Sequence, residues 1–132
     1  MTNDNHKKNL RILLVDDEPD VTYTIKKVLE NNGFVVDSYN DPTFALSDFK
    51  LRSYDLVLLD IKMPKMNGFE LYQKIKEIDH NVKICFLTAS ELFYHQYRRL
   101  DAHPTLDKEY FIQKPCRTEE LLHKLNEILY SQ

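Results

Sequence analysis

The sequence predicts an α/β fold in which a parallel sheet is covered by helices on both faces. Short aliphatic and β-branched runs alternate with stretches whose apolar residues recur at helical spacing. Strict alternation of strand and helix implies parallel strands joined by crossover helices. The polar groups with chemical potential also fall just past strand ends, which is where open α/β sheets bind ligands.

Residues 1–9 are polar and read as a disordered tail. Leu10-Arg11-Ile12-Leu13-Leu14-Val15 then stops abruptly at two aspartates, as suits a strand buried on both faces. Pro19 is tolerated in the first turn of a helix, and Val21, Ile25, Val28 and Leu29 recur at helical spacing. Asn31-Asn32-Gly33 ends that helix, with Gly33 suited to a left-handed cap. Phe34-Val35-Val36 begins a second strand, Asp41-Pro42 punctuates, and residues 44–51 read as a short helix. Leu56-Val57-Leu58-Leu59 is a third buried strand ending at Asp60, and Leu71, Ile75 and Ile78 mark the next helix. Residues 82–87 form a fourth strand, residues 91–100 a helix, and Tyr110-Phe111-Ile112 a short fifth strand. Leu121, Leu122, Leu125, Ile128 and Leu129 give the last helix its apolar stripe.

The 132 residues suit one domain, assigned to residues 10–132, and suffice for a core without disulfides or structural metals. Hydrophobic residues at 42% and charged residues at 30% exclude wholesale disorder. The net charge is −3 and no dense basic patch occurs, which argues against direct nucleic-acid binding. No stretch approaches the roughly 20 apolar residues of a membrane span, so a soluble cytoplasmic protein without a membrane partner is the default expectation. Cys85 lies in an apolar run and reads as core; with Cys116 it forms no metal-ligand spacing, and a disulfide between them is not expected in an intracellular protein. The five histidines share no ligand spacing either.

Asp16 and Asp17 follow the first strand, Asp60 ends the third, Thr88 the fourth and Lys114 the fifth. Three carboxylates crowded at one edge repel one another unless a cation joins them. A hard divalent ion with oxygen ligands answers that need, Mg²⁺ being the usual choice beside phosphate. Asp60 could attack phosphorus and form an aspartyl-phosphate. The Thr88 hydroxyl and Lys114 could then neutralise charge on the phosphoryl oxygens. Local structure offers plainer roles: a helix cap for Asp16 or Asp17, a loop start for Asp60, a strand end for Thr88, a solvated charge for Lys114.

Four segments make the pattern specific: Ile12-Leu13-Leu14-Val15-Asp16-Asp17-Glu18-Pro19; Asp60-Ile61-Lys62-Met63-Pro64-Lys65-Met66-Asn67-Gly68; Leu87-Thr88-Ala89; and Phe111-Ile112-Gln113-Lys114-Pro115. In this order and spacing the chain resembles the receiver domain of two-component response regulators over about residues 10 to 130. The resemblance implies a flavodoxin-like doubly wound sheet of strand order 2-1-3-4-5. It implies that Asp60 accepts a phosphoryl group from a sensor histidine kinase or phosphotransfer protein. It implies that Asp16 and Asp17 hold Mg²⁺, with Asp17 preferred as direct ligand, and that the Lys62 backbone carbonyl completes the metal site with Asp60. Thr88 matches the hydroxyl that moves toward the phosphoryl group, Lys114 the lysine that pairs with it, and Phe111 the aromatic switch residue. The Lys114–Pro115 bond matches one that is cis in the family. Lys62 and Ser90 match positions that tune the phosphoryl lifetime. The domain would catalyse its own phosphorylation and dephosphorylation without being a turnover enzyme. It would signal to a downstream protein through the face of the fourth helix, fifth strand and last helix.

The segment between Thr88 and Lys114 departs from the pattern. It is longer by about one helical turn, and Leu106-Asp107-Lys108-Glu109 replaces a small Gly-Ala pair. Pro104 ends or interrupts the helix before it. Phe93, Tyr94 and Tyr97 fill core there or form an unusual partner surface. This departure motivates the alternative of a receiver-like binding module that works without phosphorylation. A phosphatase with an aspartate nucleophile would want a second acid where Lys62 stands. A flavodoxin would want a phosphate-cradling loop after the first strand, and none is present. No effector domain is expected after the last helix. A stand-alone regulator and a piece of a longer one both remain open, as does the oligomeric state, a phosphorylation-linked dimer included.

Overall fold

The computed structural model describes residues 10–51, 53–89, 111–114 and 116–130. The elements are β1 (Arg11–Val15), α1 (Pro19–Glu30), β2 (Val35–Tyr39), α2 (Pro42–Asp48), β3 (Leu56–Asp60), α3 (Gly68–Ile78), β4 (Lys83–Thr88), β5 (Phe111–Gln113) and α4 (Thr118–Tyr130). All five strands pair in parallel, in the order β2-β1-β3-β4-β5. This is the expected doubly wound sheet. The expected helix at 91–100, with its aromatics and Pro104, lies outside the described residues, as do Ser90 and Pro115.

Strand residues point alternately to opposite faces, and each central strand is apolar on both. Leu13, Val15, Val57, Leu59, Ile84, Phe86 and Phe111 build one core with Ala45 of α2 and Leu71, Tyr72 and Ile75 of α3. Ile12, Leu14, Leu56, Leu58, Cys85, Leu87 and Ile112 build the other with Leu29 of α1 and Leu121, Leu125 and Ile128 of α4. The continuous aliphatic runs of the sequence arise from this two-sided burial. Cys85 is a fully buried core residue, and it and Cys116 are free thiols.

α1 ends as expected: Gly33 takes φ +93, and Phe34 N–H donates to the Leu29 carbonyl at 3.1 Å. α2 differs from expectation. It begins at Pro42, with Asp41 as N-cap accepting from the Thr43 N–H, and ends at Asp48 because Phe49 is extended. Capping chemistry at Asp41-Pro42 therefore overrides the apolar spacing, and Phe44 is left exposed. Ile78 is also exposed, at the last turn of α3, and does not serve the core. Among the described residues no helix is long and apolar enough to cross a membrane.

Candidate functional site

Strand register decides which side chains meet. Val15 pairs with Leu59, Asp60 with Leu87, and Thr88 with Gln113, so β1, β3, β4 and β5 end level with one another. Asp16, Asp17, Asp60, Thr88 and Lys114 therefore converge on one edge of the sheet. Asp16, Asp60 and Thr88 are all buried there.

The carboxylates of Asp16, Asp17 and Asp60 each offer an oxygen within 4.8 Å of the others. Lys114 Nζ lies 2.7 Å from Asp16 Oδ2, 3.6 Å from Asp60 Oδ1 and 3.7 Å from Glu18 Oε1. A cavity of about 700 Å³ opens above them, lined by Asp17, Asp60, Lys62, Thr88 and Lys114 among others. Burial pushes the Asp60 carboxyl up to about 7; Asp16 and then Asp17 add to the rise, while Lys114 opposes it. Burial works against the Lys114 charge, but the contact with Asp16, helped by Asp60 and Glu18, raises its pKa overall.

Two of the plainer local roles do not hold, the helix cap for Asp16 or Asp17 and the solvated charge for Lys114, while Thr88 does end β4. The N-cap of α1 is Glu18, and its side chain makes no capping bond. Asp16 Oδ1 instead accepts from the Glu18 N–H at 2.9 Å, which holds the loop. Lys114 is nearly enclosed, with its side chain 13% exposed. Three crowded carboxylates facing one ammonium leave an excess of buried negative charge. Their oxygen-only donor set fits a hard divalent cation. Lys62 is exposed and lines the cavity mouth.

Phe111 points inward. It stacks on Phe86 with centroids 5.2 Å apart, and Phe86 also meets Phe69 at 5.2 Å and Tyr72 at 5.6 Å. The aromatic partners from α3 were not singled out in the sequence, because their spacing reads as ordinary core. Gly68 also gains a role there. A Cβ at Gly68 would collide with the Asp60 carbonyl oxygen and lie 2.9 Å from Ile61 Cα. The first turn of α3 can therefore rest directly on the backbone of Asp60, and Gly68 N–H donates to the Ile61 carbonyl at 2.7 Å.

A doubly wound sheet with a largely buried acidic cluster and an enclosed lysine at the edge where such sheets bind ligands defines a class of ligand-binding α/β domain. Comparison with known proteins narrows the class. Residues 12–126 match the model of the response regulator receiver domain. The chemotaxis protein CheY of Bacillus subtilis is 36% identical over 120 residues, covering 90% of this chain and 97% of that protein. The transcriptional regulatory protein DltR of Streptococcus agalactiae is 34% identical over 88% of this chain but only 50% of its own length. The chain thus spans about half the length of several curated relatives it matches. The response regulator TrrA of Thermotoga maritima, solved in complex with Mg²⁺-BeF, superposes with a TM-score of 0.76 at 34% identity, covering 91% of this chain and 99% of that one. The chain belongs to the response regulator receiver domain family.

Proposed function

We propose that this receiver domain is a switch set by phosphorylation of Asp60. The observation that carries the reading is the convergence of Asp16, Asp17, Asp60, Thr88 and Lys114 from four strand ends on one cavity. A carboxylate oxygen of Asp60 attacks the phosphorus of a phosphohistidine on a sensor kinase or phosphotransfer protein. The P–N bond breaks, the donor imidazole recovers a proton, and an acyl phosphate forms. Asp16, Asp17 and Asp60, with the Lys62 carbonyl, are the groups that would hold Mg²⁺. A bound Mg²⁺ supplies positive charge for the phosphoryl oxygens. Lys114 then exchanges part of its contact with Asp16 for the new oxygens, and the Thr88 hydroxyl donates to another. Movement of Thr88 biases the packing of Phe111 and so the surface around β5 and α4, where a downstream protein reads the state.

TrrA supports both halves of this reading. It was solved with Mg²⁺-BeF and also in complex with the histidine kinase ThkA. The domain modifies itself and is not a turnover enzyme. Residues 10–132 form the receiver and 1–9 a polar tail, acting in the cytoplasm.

Intact-protein mass after incubation with phosphoramidate, with and without Mg²⁺, tests the proposal. One added phosphoryl group that requires both Mg²⁺ and Asp60 is expected. No adduct at early or late times would overturn it in favour of a module that signals by binding alone.

A further inference from the structure

Two consecutive residues after β2 touch the two loops that carry the acidic site. Asn40 Nδ2 donates to the Asp16 backbone carbonyl at 2.7 Å and to Thr22 Oγ1 at 3.1 Å. Thr22 is buried in the first turn of α1, and its hydroxyl donates to the Pro19 carbonyl at 3.0 Å. Asn40 therefore grips the β1–α1 segment on both sides of Asp17. Asp41 faces the other way: its Oδ2 accepts from Lys65 Nζ at 2.8 Å. Lys65 lies in the β3–α3 loop, three residues beyond Lys62.

The Asp41 side chain is itself held in place. Its Oδ1 accepts from the Thr43 N–H at 2.8 Å and from the Thr43 hydroxyl at 2.6 Å. Lys65 and then Thr43 keep its carboxyl well below the usual carboxylate range, so it stays charged. Lys65 sits at φ +71, a backbone region that disfavours any side chain. The Lys65 side chain is 63% exposed, and an exposed ion pair contributes little to stability. The pair nevertheless joins the turn after β2 to the β3–α3 loop.

We propose that Asn40 and Asp41 are positioning residues, a brace in series that ties the loop bearing Asp16 and Asp17 to the loop bearing the Lys62 carbonyl. The brace sets the spacing of the oxygen ligands across the cation site, and it rests on the reading of that site given above. Links in series have a distinctive signature: breaking either one releases the connection, so breaking both costs no more.

Calorimetric titration of the full chain with Mg²⁺ tests this, using Asn40→Ala, Asp41→Asn and the double variant. Asparagine at position 41 keeps the α2 cap while removing the ion pair. Each single variant is expected to weaken Mg²⁺ binding by about threefold, within what an exposed pair can couple. The double variant is expected to match the weaker single. Lys65→Met, which leaves Asn40 and the cap untouched, should reproduce the Asp41→Asn loss, and Lys65→Arg should restore binding. Amide exchange in EDTA should quicken at both loops in each single variant. Unchanged affinity in folded single variants, or losses that multiply in the double, would overturn the brace alone. A native chain that binds no Mg²⁺ would overturn the reading of the site and the brace with it.

Discussion

The two ends of the sheet carry similar amounts of charge and use it differently. At the end where the strands begin, charges are matched and partly solvated. Arg11 Nη2 lies 3.1 Å from Asp37 Oδ2, its backbone N–H donates to Asp55 at 2.8 Å, and its guanidinium lies over the Tyr54 ring. The Tyr54 hydroxyl donates to Asp37 at 2.7 Å, and burial followed by that contact raises its pKa. Lys83 donates to the Ile128 carbonyl at 2.7 Å near the end of α4. At the other end, three carboxylates crowd around one enclosed lysine. Matched, half-exposed charge holds strand ends together at little gain or loss. Unmatched, buried charge stores a cost that a ligand can relieve. That imbalance distinguishes the edge proposed to bind the cation and the phosphoryl group.

Breaking the unmatched edge should have the largest effect. Lys114→Met is expected to slow phosphorylation from a small-molecule donor by ~10²-fold or more, since it removes the charge proposed to face the transferring group. Time-resolved intact mass would show it, and a loss under threefold would contradict the role.

The stored cost should appear next, as a pH effect on the metal-free protein. The native Asp60 pKa of about 7 lies above the ~3.9 of an unfolded aspartate. The native state therefore holds the proton longer, and its stability falls as pH rises from about 4 to about 7. Asp60→Asn removes that cost. Denaturant unfolding in EDTA should show the variant more stable by on the order of 3 kcal/mol at pH 8, with the gap closing near pH 4. Saturating Mg²⁺ should stabilise the native protein and narrow the difference. A gap independent of pH would remove Asp60 burial from the account.

Gly68→Ala sharpens the comparison from the backbone side. The methyl would force α3 away from Asp60, costing about 1–3 kcal/mol of stability as an overpacked contact. Mg²⁺ affinity should fall with it; stability lost at unchanged affinity would confine Gly68 to the fold.

The smallest effect is expected at the matched end. Arg11→Met should cost less than about 1 kcal/mol, because the Arg11–Asp37 pair is nearly half exposed. Its phosphorylation rate should equal that of the native protein, and a slowed rate would mean that the two ends are coupled.

The sheet and most of the site were legible in the sequence because both rest on local signals. Aliphatic runs buried on two faces announce strands, and Asp16, Asp60 and Thr88 stand at or just past their ends, while the roles expected of them came from the resemblance to the receiver family. Boundaries were less legible: the apolar spacing of residues 44–51 pointed to a later helix than Asp41 and Pro42 allow. The inward stacking of Phe111 is on Phe86 of β4, which in turn meets Phe69 and Tyr72 of α3, and no local pattern encodes the arrival of either partner element.

By itself the sequence determined an alternating α/β chain and the chemical groups at its strand ends, since both follow from periodicity and residue type. Only the tertiary structure decided the pairing of Lys114 with Asp16 across 98 positions, the seat of Gly68 against Asp60, and the reach of Asn40 and Asp41 to two separate loops. Those contacts depend on strand register and loop approach, quantities that exist only once distant segments share a sheet.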